Sequence, residues 1–347
     1  MSSLLPAEIA EKTVTIEDVA RLAGTALSTA SLALNGKSRV SPATRDAVFK
    51  AAQELGYEAN YYAQRIKAGC TNTLACFADT IEGVAGEKVT RIQNEFIRRG
   101  FSAPLHGLGH VTPEERVEAI KQLRRQRPRA IIVADKVLNE KAFDELRRFR
   151  DESGIVVCYD NPFPSDFEQF NLDRELGSYH ATRHLIEQGH RDIGISTHSS
   201  VPMDNTFTQG FQRAMQEAGL SCPAEWNCPF IPFELAGKAL AAHFVSMARR
   251  PTAFYIVDDR VATTFVTYIL RSGLQVPADV SVVTHDQAGV AEHCIIPLTV
   301  VSHPVSQITT SVAEMVLSRI ENRYEGPARH SVISGQLIPR ESVLSLH

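Results

Sequence analysis

Thr15-Ile16-Glu17-Asp18-Val19-Ala20-Arg21-Leu22-Ala23-Gly24 is the stretch on which the fold turns, and it runs on to Leu34-Asn35-Gly36. Ile16, Val19, Ala20 and Ala23 recur at helical spacing and make one apolar face. Thr15 stands where an N-cap belongs, and Asp18 suits the positive end of the helix dipole. Gly24 follows where a left-handed residue ends a helix. A second short helix is expected over 27–34, with Ala30, Ala33 and Leu34 inward, stopped by Asn35-Gly36. Two short helices joined by a tight turn form either a helical hairpin inside a core or a helix-turn-helix. In the latter, the second helix enters the DNA major groove and its first turns face base edges.

The chain beyond favours the second alternative. Ser41-Pro42 is an N-cap followed by proline at the first helical position. A helix is expected over 43–55, with Val48, Phe49, Ala52 and Leu55 apolar and Gly56 closing it. A short basic segment follows, from Tyr61 to Gly69, containing Arg65 and Lys67. The runs T-I-E-D-V-A-R-L-A-G, T-A-S-L-A-L-N-G-K, R-V-S-P-A-T-R and E-L-G-Y-E-A-N resemble the lactose-repressor/galactose-repressor family of bacterial transcription regulators. The resemblance extends through most of the remaining chain. It implies a small all-α headpiece over 13–59, a hinge over 60–70, and an α/β effector-binding and dimerisation domain over 71–347.

Charge and composition agree with a selective binder. The 36 Lys+Arg against 40 Asp+Glu leave a formal charge of −4, which argues against an indiscriminate nucleic-acid binder. From Lys37 to Lys67, however, six cations face three acids, Asp46, Glu54 and Glu58. So small a basic surface predicts modest affinity per headpiece, and a dimer would double the phosphate contacts. No apolar run is long enough to span a membrane, and Met1 to Lys12 lacks a signal-peptide core. A cytoplasmic protein is therefore expected. The six cysteines form no C-x-x-C pair and are expected to be reduced packing residues, with no metal or other cofactor. The enzyme alternative finds no G-x-G-x-x-G, P-loop or G-x-S-x-G motif.

After residue 70, apolar runs at 73–79, 130–135, 155–160, 192–198, 253–259 and 280–286 read as strands. Helical runs lie between them, at 87–99, 113–126, 141–151, 174–188, 205–218, 234–249 and 260–272. Continuous apolar strands joined by amphipathic helices make parallel sheets covered on both faces. The units are too many for one small sheet, so two lobes are expected. The resemblance implies a periplasmic-binding-protein-like arrangement. Lobe one would be 71–171 and 303–329, and lobe two 172–302 and 330–347, with crossings near 171–173, 301–304 and 329–331. A helix at 306–322 would complete lobe one, and a final strand at 331–339 would return to lobe two.

The resemblance also implies roles for single residues. Leu27, Ser28, Ser31 and Leu32 are the base-facing candidates on the second helix. Thr15, Thr29, Asn35, Arg39, Ser41, Thr44 and Tyr57 would hold phosphates and set register. The hinge would be a helix that forms on DNA, with Asn60, Ala63, Arg65 and Lys67 at the minor groove and Ile66 as the wedge between base steps. Around the second helix this chain departs from the family pattern at two places. Ala26 stands where a capping serine is usual, leaving the cap absent or supplied by Thr25. Leu32 stands where many members have arginine, so apolar contact would replace a bidentate reading of guanine.

In open α/β sheets, ligands bind beyond the carboxyl ends of strands. Several strands here end in acid. Asp135 and Asp259 read as helix caps; Asp79, Asp160, Asp258 and Asp286 read as effector contacts, with Phe207 and Phe233 beside them. Phe207 replaces an arginine common in sugar-binding members. An acid-lined cleft suits a polyhydroxy, cationic or nucleobase-like ligand and disfavours a phosphorylated or carboxylated one unless His285 or His303 supplies positive charge. A neutral, sugar-like effector is expected, and the alternative is a non-sugar effector acting as co-repressor. The expected partners are a pseudo-palindromic DNA operator, the small-molecule effector and a second copy of the chain.

Overall fold

A computed structural model describes residues 14–34, 40–57, 72–107, 111–134, 138–161, 165–197, 204–229 and 233–347, without the side chains of 204, 205, 233 and 234. The chain divides into two units, Met1–Thr71 and Asn72–His347.

The first unit contains α1 (Ile16–Leu22), α2 (Leu27–Leu34) and α3 (Pro42–Glu54). Thr15 and Asp18 cap α1 reciprocally, each side chain meeting the other residue's backbone N–H. Gly24, with φ 62°, ends it in the left-handed conformation a side chain would resist. The Ser41 hydroxyl accepts the Thr44 N–H ahead of Pro42. Val19, Ala20, Ala30, Ala33, Val40, Val48, Ala51 and Ala52 form one core. Phe49 was expected among the apolar positions of α3, but its side chain is exposed and Ala51 takes the inward place. Small residues let these three short helices approach closely.

The second unit carries two sheets. Strands β1 (Leu74–Ala78), β2 (Leu105–Gly107), β3 (Ala130–Ala134), β4 (Ile155–Tyr159), β5 (Glu168–Leu172) and β10 (His330–Ile333) form an all-parallel sheet in the order β10-β5-β4-β3-β1-β2. Strands β6 (Ile193–Ser196), β7 (Ala253–Ile256), β8 (Ser281–His285), β9 (Thr299–Val301) and β11 (Leu337–Ile338) form the second, in the order β11-β9-β8-β7-β6. Only β11 runs antiparallel to its neighbour there. Lobe one is covered by α4 (Gly83–Arg98), α5 (Pro113–Arg125), α6 (Glu140–Asp151) and α11 (Val305–Ile320). Separate apolar clusters fill its two faces. Lobe two is covered by α7 (Arg174–Glu187), α8 (Asp204–Glu217), α9 (Phe233–Ser246) and α10 (Asp259–Arg271) around one large core. Among the described residues no helix is long and apolar enough to cross a membrane.

The end of the chain departs from expectation. Residues 331–339 do not form one strand of lobe two. His330–Ile333 pairs with β5 in lobe one, and only Leu337–Ile338 joins β9 in lobe two. The third crossing is therefore at 334–336, not near 329–331. Gly335 is the physical reason: a Cβ there would lie 2.0 Å from the Ser302 carbonyl oxygen, so only glycine lets the second and third crossings pack together. The Ser302 N–H donates to Gln336 O at 2.8 Å, and the Asp173 N–H donates to Ile333 O at 2.7 Å. The three crossings thus form one hydrogen-bonded hinge.

Candidate functional site

The headpiece presents the second helix as the sequence requires. Leu27 and Ser28 are exposed, and Thr29 and Ser31 are half-buried. Leu32 is also half-buried and packs partly on the headpiece core, so only part of its surface remains for a base. The hydroxyl of Thr25 has no hydrogen-bond partner and does not cap α2. The first helical bonds instead run from Thr29 and Ala30 N–H to the Ala26 carbonyl, and Ala26 has no side-chain oxygen to satisfy the remaining donors. Ser41 and Thr44 share a hydroxyl contact of 2.8 Å at the start of α3. Tyr57 packs against the core, its N–H bonded to Ala52 O at 2.8 Å. Asn35, Arg39, Asn60, Ala63, Arg65, Ile66 and Lys67 lie outside the described residues.

In the second unit the strand-end acids have unequal roles. Asp258, expected to meet effector, is the N-cap of α10 and binds the Arg260 guanidinium at 2.8 and 3.1 Å. Asp259, expected to be the cap, is fully buried and accepts three backbone N–H groups, from Gln287 at 3.2 Å, Ala288 at 2.9 Å and Val290 at 2.8 Å. The local reason is the φ/ψ of Asp258, −136° and 123°, which ends the strand there and makes it the capping residue. Asp160 sits beyond β4 with φ 52°, a left-handed conformation that aspartate tolerates better than most residues. It pairs with the Lys88 ammonium and lies 3.4 Å from Arg174 Nη2. Asp160 is therefore not a bare acid, and this corrects the picture of an acid-lined cleft. Asp79 and Asp286 are half-buried, and Asp286 accepts the Gly289 N–H at 3.0 Å. Burial raises the carboxyls of both Asp259 and Asp286 above the ordinary range. Phe207 is buried edge-on against His285 at 4.9 Å. The Phe233 side chain and Asp135 are outside the description.

The lobes also touch outside the three crossings. The Val84 N–H, at the start of α4, donates to Gln287 O at 3.2 Å. A Cβ on Gly83 would meet that same carbonyl at 2.8 Å. The loop that receives this contact is the one Asp259 holds, so a buried carboxylate in lobe two fixes the surface that meets lobe one.

Lys88 and Arg174 were missed in the sequence, Asp259 was read only as a cap, and His303 was weighed only as a source of positive charge. Lys88 carried a usable signal, because it is four residues from both Val84 and Ile92 and so falls on the buried stripe of α4. Arg174 opens α7 directly after the first crossing and His303 lies in the second, and Lys88 and Arg174 converge on Asp160 only through the tertiary fold. Burial pushes His285 down to about 3 and His303 well below the usual imidazole range. The buried thiols of Cys76 and Cys158 are pushed up to about 12, as packing residues would be.

A helix-turn-helix headpiece followed by two parallel-sheet lobes joined by three crossings defines a DNA-binding regulator with a ligand-binding domain. Residues 15–60 match the model for bacterial regulatory proteins of the lacI family, and residues 182–343 match the periplasmic binding protein-like domain. The chain is 30% identical over 336 residues to the HTH-type transcriptional repressor PurR of Vibrio campbellii, covering 96% of this chain and 99% of the relative. The fold is similar to that of the Lac repressor dimer bound to operator and the anti-inducer ONPF, with TM-score 0.85, 21% identity, and 96% and 100% of the two chains covered. It is also similar to the transcriptional regulator CelR–cellobiose complex, with TM-score 0.67, 27% identity, and 95% and 99% covered. The chain belongs to the LacI family of DNA-binding transcriptional repressors.

Proposed function

We propose that this repressor acts as a homodimer on a pseudo-palindromic operator, and that a small molecule bound between the two lobes sets its operator affinity. The observation that carries this reading is the pairing, on one chain, of a recognition helix with an exposed first turn and a two-lobed domain whose lobes meet at Val84 and Gln287. Leu27 and Ser28 would lie against base edges, with Ser31 and the outer part of Leu32 behind them. Ser41 and Thr44 at the start of α3 would meet backbone phosphates. The residues 60–70 would supply minor-groove contacts through Arg65, Ile66 and Lys67.

An effector would act by its difference in affinity between arrangements of the lobes, because a ligand that binds both equally shifts nothing. The sugar-like effector expected from an acid-lined cleft loses that support, since Asp160 is paired to Lys88 and Asp258 to Arg260. The decisive test is selection of bound duplexes from a random pool at near-physiological salt, run with and without a metabolite mixture. A two-fold-symmetric consensus is expected. Absence of enrichment in both arms would overturn the reading.

A further inference from the structure

The hinge buries more positive charge than negative. Lys88, Arg174 and Asp160 are 3%, 7% and 5% exposed. One carboxylate faces two cations, and little water reaches them to screen the surplus. An uncompensated buried charge is costly, and proteins ordinarily supply a counter-charge. His303 belongs to the same group, 8% exposed, with neither ring nitrogen hydrogen-bonded. Burial first, then Lys88 and Arg174, keep it neutral, so one ring nitrogen carries a proton to donate. The buried hydroxyl of Tyr159, next to Asp160, also has no partner. Asp79 bears on Tyr159 but is half-exposed, where solvent screens it.

Among the described residues an ammonium, a guanidinium, an imidazole and a phenol gather around one carboxylate, Asp160, so charge-bearing donors outnumber anionic acceptors. Resting on the cleft as the effector site, we propose that the effector of this repressor carries an oxyanion, a carboxylate or a phosphate, which docks on Lys88, Arg174 and His303 at the hinge. Such a group would supply the missing negative charge and accept the unused hydrogen bonds. It would turn the surplus of the hinge into a neutral, satisfied network.

The test is calorimetric titration of the full-length chain at fixed ionic strength with acetate, inorganic phosphate, gluconate, glucose 6-phosphate and glucose. Saturable binding is expected for carboxylates or for phosphates, the two arms separating the sources, and none for glucose at the same concentration. Charge-coded variants give the sign. Lys88→Met and Arg174→Met should weaken the anion by about tenfold or more, whereas Asp160→Asn should tighten it by a similar factor. A purely structural role would make all three variants weaker. Asp160→Asn binding more weakly than the parent chain, or no anion binding saturably to either, would overturn the proposal. Operator affinity measured with the same compounds separates the two readings. Anion binding without a change in operator affinity leaves the oxyanion site and removes the effector role. Glucose or cellobiose altering operator affinity, with no anion bound, leaves the effector role and overturns the oxyanion site.

Discussion

Acid should destabilise lobe two well before it affects ordinary carboxylates, and His285 sets the scale. Its side chain is 1% exposed, hydrogen-bonded through Nδ1 to Tyr255 Oη at 2.7 Å and packed against Phe207. Burial, then the nearby Arg174, push it from 6.5 down to about 3. The sign follows from proton linkage. The unfolded chain takes up a proton as pH falls through 6.5, while the folded chain does not until about 3, so stability is lost across that window. Between about pH 7.5 and pH 5 one such histidine costs about 2 kcal/mol, and His303, shifted in the same direction, steepens the loss. Trp226 is the sole tryptophan, is 1% exposed and lies in lobe two, so urea titrations followed by its fluorescence report the right unit. In His285→Gln the packing loss lowers stability at pH 7.5, but the further loss on acidification should shrink by about 2 kcal/mol. An unchanged difference between the two pH values in that variant would refute the reasoning.

Three further outcomes are expected. Asp259→Ala leaves three backbone N–H groups without their acceptor; it should cost about 3–5 kcal/mol in the same urea titration, and a loss below about 1 kcal/mol would show that water replaces the carboxylate fully. Ala26→Ser should stabilise the headpiece by about 1 kcal/mol by supplying the missing cap of α2, measured by its thermal unfolding within the full chain, and no gain would mean that the α2 donors are already met. Leu32→Ala should both destabilise the headpiece, by about 1 kcal/mol for a half-buried side chain, and change base preference at one position of a selected half-site; an unaltered half-site would assign Leu32 wholly to the core.

Periodicity carried most of the fold. The strands at 130–135 and 155–160 and the helices between them were legible because each buries a continuous apolar run or stripe. The strands Leu105–Gly107 and Thr299–Val301 were not, because three residues are too few for a pattern. Glu168–Leu172 was hidden by its polar letters, although Glu168 is buried there by two arginines, Arg319 and Arg329. The headpiece was legible down to its caps at Thr15 and Ser41. The cleft was not, because charge at a strand end says nothing about partners brought from elsewhere. Asp258 took the cap expected of its neighbour, and Asp259 instead holds the 287–290 loop from a buried position. Asp160 lost its bare charge to a lysine 72 positions earlier in the chain.

That pairing also says where a ligand could exert leverage. Lys88 belongs to lobe one, Arg174 opens the first helix after the first crossing, and His303 lies in the second crossing. One of the three donor groups is therefore within a crossing, one directly follows a crossing, and the third is carried by the helix whose first turn makes the contact with Gln287. A ligand bound to one lobe alone would stabilise that lobe without favouring any angle between the two. A ligand that draws Lys88, Arg174 and His303 together constrains the crossings and the start of α4 at once, so its binding energy depends on how the lobes are set. By reciprocity the operator, in selecting one setting of the lobes, must change affinity for that ligand by the same factor that the ligand changes affinity for the operator.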